Sequence, residues 1–153
     1  MSISEQRAWL SLAAYGAIFA FFLMRMLAED WSVAAVSAGH MLWTYGYVAV
    51  MAVVAESLIA ASTAAREKLA GGAVEADERD LIIEARAEQY GGFAGLICVN
   101  AVVLHALLHA TYPGHAFPHA DLTSLPNLVL ALLTVLFVAQ AVKLVTTIVS
   151  YRL

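Results

Sequence analysis

Four long apolar runs dominate this chain of 153 residues. They cover about 9–28, 33–61, 90–110 and 125–149. Each has about 20 residues or more, and a helix of that length crosses a hydrocarbon core of roughly 30 Å. Backbone polar groups inside lipid must be satisfied within the segment itself, as a helix does. The pattern therefore predicts an all-α membrane protein, a four-helix transmembrane bundle formed by one domain over residues 1–153. Composition agrees. Charged residues make up 13% of the chain, against about 25% in soluble domains, so the chain cannot cover itself with a charged surface. The net charge of -4 is too weak and too local to suggest nucleic acid. The lone Cys98 excludes an intramolecular disulfide and a CxxC motif, and reads as a small core hydrophobe.

The first run is broken only by Arg25, near its end. It is longer than a signal-peptide h-region of about 7–15 residues, and Met24-Arg25-Met26 is a poor cleavage context, so it reads as a retained helix. Arg25 and Glu29 anchor its far end. The second run holds two ionisable residues, His40 and Glu56. The third opens with Gly91 and Gly95, a small-xxx-small pair suited to close helix contact. A loop with Pro113 and Pro118 follows. The fourth run starts near Pro126 and contains Gln140 and Lys143.

Residues 62–89 form the one extended polar stretch. Gly71-Gly72 breaks it, and residues 75–89 read as a short amphipathic cytoplasmic helix before the third span. On a helical wheel Asp77, Asp80, Glu84 and Glu88 fall on one face. Arg79, Ile82, Ile83, Arg86 and Tyr90 fall on the other. The expectation is that the acids face water and that Arg79 and Arg86 share the apolar side. Lys and Arg set orientation. Arg7, Arg66, Lys68, Arg79, Arg86, Lys143 and Arg152 map to one side and Arg25 to the other. Both termini and the 62–89 stretch are then expected in the cytoplasm, with the protein in the inner (plasma) membrane.

Two polar constellations follow from that topology. All five histidines lie on the outer half: His40, His105, His109, His115 and His119. His105 and His109 share one helix face at i, i+4. Imidazole is the commonest metal ligand, so all five, His40, His105, His109, His115 and His119, are candidates to hold a transition metal, with His40, His105 and His109 expected to converge on one site, or two histidines to ligate haem. The alternative is that they are ordinary polar caps at the bundle mouth. On the inner half Glu56 and Lys143 are expected at similar depth and form a candidate buried ion pair, with Arg86 as a third member. Charges inside a membrane are costly and pair within the bundle. As a functional site Glu56 would carry a proton or cation in a small transporter. The alternative is a structural polar lock. No Gly-rich phosphate loop, nucleophile elbow or HExxH occurs, so nothing points to hydrolytic or phosphoryl-transfer catalysis.

The run Asp77-Glu78-Arg79-Asp80, then Ile82-Ile83, then Arg86-Ala87, leads straight into the third span. It resembles a signature of small uncharacterised bacterial inner-membrane proteins with four helices. The resemblance covers residues 75–95 and the topology, and the histidines lie outside it. It implies a fold and a location and no activity. Three functions remain open: an outer-face metal or haem protein, a non-catalytic interaction or regulatory subunit (working as a homodimer or with another membrane subunit), and a small proton-coupled transporter.

Overall fold

A computed structural model describes residues 3–27, 37–69, 78–112, 122 and 124–153. Four helices account for nearly all of them: α1 (Ile3–Met26), α2 (Ala38–Leu69), α3 (Glu78–Thr111) and α4 (Leu125–Arg152). Each is long and apolar enough to cross a membrane. The architecture is that of a multi-pass membrane protein.

The helices run further than the apolar runs do. α1 starts at Ile3, because Ser4-Glu5-Gln6-Arg7 continues the helix and Glu5 sits in the first turn, where the helix dipole favours an acid. Within α2, His40 donates its backbone N–H to the Ser37 hydroxyl at 3.3 Å, an N-cap contact that fixes the start. α2 then continues past Ala61 to Leu69 through Ala64, Ala65, Arg66, Glu67 and Lys68, all good helix formers. α3 is one unbroken helix from Glu78 to Thr111. The expected separate amphipathic helix is thus, from Glu78 onward, the first turns of the third span. Nothing in Glu88-Gln89-Tyr90 interrupts helical geometry, and Gly91 is tolerated because α4 packs against it, whereas Gly92 faces open space. Pro126 occupies the first turn of α4, where a missing N–H costs nothing.

The helices alternate in direction. Gln6 at the start of α1 meets Arg66 at the end of α2, Glu5 meets Arg152 at the end of α4, and Asp80 at the start of α3 meets Tyr151. One end of the bundle therefore carries the starts of α1 and α3 and the ends of α2 and α4. We call it the termini end. The packed pairs are α3 with α4, α1 with α2, and α1 with α4. α1 and α4 are central, and among the described residues α2 and α3 flank them without a packed interface of their own.

Lipid tails are as apolar as leucine, so close packing and polar contacts hold such a bundle together. Two devices are visible. In the half away from the termini, Phe22, Met26 and Met41 are buried, with Phe19, Leu23, Val48, Val129, Leu130 and Leu133 packed around them. Phe19 stacks on Phe137 at 4.1 Å between ring centroids. In the other half α3 and α4 approach backbone to backbone. A Cβ on Gly91 would lie 2.9 Å from the Lys143 Cβ and 3.0 Å from the Ala139 carbonyl oxygen. One on Gly95 would lie 3.3 Å from the Ala139 Cβ. The small-xxx-small pair is used within the chain, to seat α4.

Candidate functional site

The close α3–α4 approach places Lys143 directly against Gly91, one turn from Glu88. The Lys143 and Glu88 side chains form an ion pair. This corrects the expected pairing of Lys143 with Glu56. The physical reason is depth. Because α2 extends to Leu69, Glu56 lies about 20 Å from that helix end at 1.5 Å per residue. Lys143 lies about 14 Å from the end of α4 by the same rise. Glu88 stands level with Lys143, in the antiparallel register that also joins Asp80 to Tyr151. Arg86, the expected third member of the pair, points to the other side of α3.

The acidic stripe of α3 is likewise reversed from expectation. Ile83 and Ala87 are buried, and Asp80, Glu84 and Glu88 flank them on the inward side. Tyr151 donates its hydroxyl proton to Asp80 Oδ1 at 2.7 Å. Asp77 lies outside the described residues. The acids lie on the side of α3 that meets α4, where Lys143 and Tyr151 partner them, and Glu84 and Glu88 keep much of their surface exposed.

What they gather around is a cavity of about 770 Å³ at the termini end, to which all four helices contribute. α1 supplies Arg7, Ser11 and Tyr15, and α2 supplies Glu56 and Thr63. α3 supplies Asp80 and Glu84, and α4 supplies Gln140, Lys143 and Tyr151. Three carboxylates and two cations line it, so the wall is acidic by one charge when all are ionised. Glu56 is its deepest ionisable group and is half-buried. Tyr15 lines it from α1, close enough to Glu56 to be its electrostatic neighbour.

A second layer closes the rim. Buried Glu5 accepts from Arg152 Nε at 3.2 Å. The Arg152 guanidinium also lies 5.6 Å over the Trp9 ring, a cation–π contact. Arg66 donates to the Gln6 side-chain oxygen at 2.7 Å. Sequence reasoning missed Glu5, Tyr15, Asp80, Glu88 and Tyr151 as site residues. The usable signal was register. In alternating helices the first turns of α1 and α3 must lie level with the last turns of α2 and α4, where their charges meet.

Neither His40 nor His105 lines this cavity. His40 and His105 sit half-buried on α2 and α3, the two flanking helices, which share no packed interface. His109 is within α3, but its side chain lies outside the described residues, as do His115 and His119 entirely. Among the described residues no group of three metal-ligating side chains converges.

Comparison with known proteins adds no assignment. No known family, curated protein or solved structure matches the chain.

Proposed function

We propose that this is an integral membrane protein, with both termini in the cytoplasm, that binds a small cation or amine-bearing solute in the termini-end cavity. Glu56 is the binding carboxylate, and it exchanges its proton for the solute, as in a small proton-coupled transporter. The carrying observation is a half-buried carboxylate deep in an apolar bundle, at the floor of a cavity that all four helices line. An ionisable group at such depth costs about 2.5–3.5 kcal/mol by insertion scales, and in membrane proteins such groups mark ion and proton pathways. Lys143 has its own counter-ion in Glu88. Glu56 forms no ion pair among the described residues, and its neighbour Tyr15 is a neutral phenol that would leave the carboxylate charge uncompensated. A bound cation or a proton would supply the missing charge. Apolar packing around Phe22, Met26 and Met41 closes the opposite half, so the cavity faces one side.

The chemistry is tested by proton release. Purified protein in weak buffer with a pH dye, given tetraphenylphosphonium or methylammonium, should release protons on binding. Glu56→Gln should abolish the release. Equal release from that variant would overturn the assignment of Glu56. Orientation has a separate test. Reporter fusions at Gly72 and at the C-terminus should report cytoplasm and a fusion at His115 the outside. An outside signal at Gly72 would reverse the topology.

A further inference from the structure

The basic residues of the termini end are unequally used. Lys143 is paired with Glu88, Arg152 with Glu5, and Arg66 with Gln6. Arg79 and Arg86 face away from the cavity, two turns apart on one side of α3. Arg79 makes a long contact of 3.5 Å to the Ser150 carbonyl oxygen. Neither arginine meets a carboxylate in an ion pair among the described residues. Both open onto a groove between α3 and the last turns of α4. It consists of two adjoining depressions of about 530 and 600 Å³ that share Arg86 and Ser150. Glu78 and Leu153 also line it, so its side chains sum to one positive charge in a chain whose net charge is -4.

We propose that this groove binds the phosphodiester headgroup of an anionic phospholipid, with Arg79 and Arg86 as its clamp. Four observations fit that occupant. The guanidinium fork matches phosphate oxygens with two parallel bonds. Arg79 lies at the first turn of α3 and Ser150 in the last turn of α4, the level of a lipid headgroup. Arg86 lies about 10 Å deeper along the helix and can reach up on its apolar stem. Between the levels of the two arginines the walls are exposed Ile82, Val145 and Val149, an apolar surface on which acyl chains can start, and exposed Tyr90 lines the groove one turn deeper than Arg86. Basic pockets between transmembrane helices recognise anionic headgroups in this way. The groove opens on the opposite side of α3 from Asp80 and Glu84, so it does not depend on the cation reading of the cavity.

The test uses the full chain, purified in detergent, delipidated and examined by native mass spectrometry. It is offered phosphatidylglycerol, phosphatidylcholine or glycerol 3-phosphate. Phosphatidylglycerol should be retained in preference to phosphatidylcholine, and equal concentrations of glycerol 3-phosphate should not displace it. The double variant Arg79→Gln/Arg86→Gln should lose retention roughly tenfold or more, the scale of losing charge-assisted bonds. The charge-matched variant Arg25→Gln/Lys68→Gln should retain it. Arg86→Gln alone removes no contact among the described residues and serves if the double variant does not fold. Equal retention of phosphatidylcholine, or retention unchanged in the clamp variants, would sink the proposal. Displacement by glycerol 3-phosphate would replace a lipid site with a simple anion site.

Discussion

The half of the bundle around Phe22 and the half around Lys143 are built on opposite principles. In the first, aromatic and methionine side chains from α1, α2 and α4 interdigitate until Met26 is fully buried. In the second, ion pairs and hydrogen bonds ring a cavity. A bilayer gives no hydrophobic reward for burying one apolar side chain against another, so the first half depends on the quality of packing. The second depends on matching polar groups at equal depth, because lipid offers them no other partner. The close apolar packing is therefore confined to one half, and Glu56, which forms no ion pair among the described residues, is left in the other.

Substitutions can break or sharpen this contrast. Phe22→Ala should have the largest effect. Removing a buried aromatic costs up to about 3–5 kcal/mol in protein cores, and thermal unfolding in detergent should report a loss on that scale. A shift no larger than that of an exposed control such as Leu58→Ala would mean that the apolar half is not tightly packed. Gly91→Ala comes next. Its Cβ would meet α4 backbone and Lys143 Cβ, and such overpacking costs about 1–3 kcal/mol. Gly95→Ala, which meets a side-chain methyl at 3.3 Å, should be milder. If the two glycines prove equal, the close approach is not centred where the structure places it.

Smaller effects separate the partners of Lys143. A double-mutant cycle of Lys143→Met with Glu88→Gln should show coupling of about 0.2–1 kcal/mol, the range of partly exposed pairs. The same cycle with Glu56→Gln should show less, and the reverse order would restore the pairing expected from the sequence. Smallest is Thr44→Val. The Thr44 hydroxyl is buried beside the apolar half, with no hydrogen-bond partner among the described residues. Removing a lone buried polar group is neutral or stabilising, so the melting temperature should hold or rise. A clear fall would show that the hydroxyl is in use.

Much of the architecture was legible because it depends on local quantities. A run of about 20 apolar residues spans a bilayer whatever its neighbours do, and four such runs with short connections alternate in direction. Gly91 and Gly95 declared a close helix contact through their missing side chains, though not that Ala139 and Lys143 would be on the other side of it. The helix ends were misread because apolarity marks where lipid is and not where the helix stops. Thr63, Arg66 and Lys68 are polar, and they continue α2. That error carried into the site. It set Glu56 too near the helix end and paired it with Lys143.

The sequence by itself determined four spans, the crowding of cations at one end and the presence of Glu56 and Lys143 inside apolar runs. Each follows from chain-local chemistry: hydropathy over a window, or the cost of a charge in lipid. Only the tertiary structure decided which acid meets Lys143, that the acidic face of α3 turns inward while Arg79 and Arg86 turn out, and that a cavity remains above Glu56. Those outcomes depend on the relative depth and rotation of helices, which are set by packing such as that of Gly91 on α4. A change of one turn along a helix moves a side chain about 5 Å, enough to exchange one partner for another.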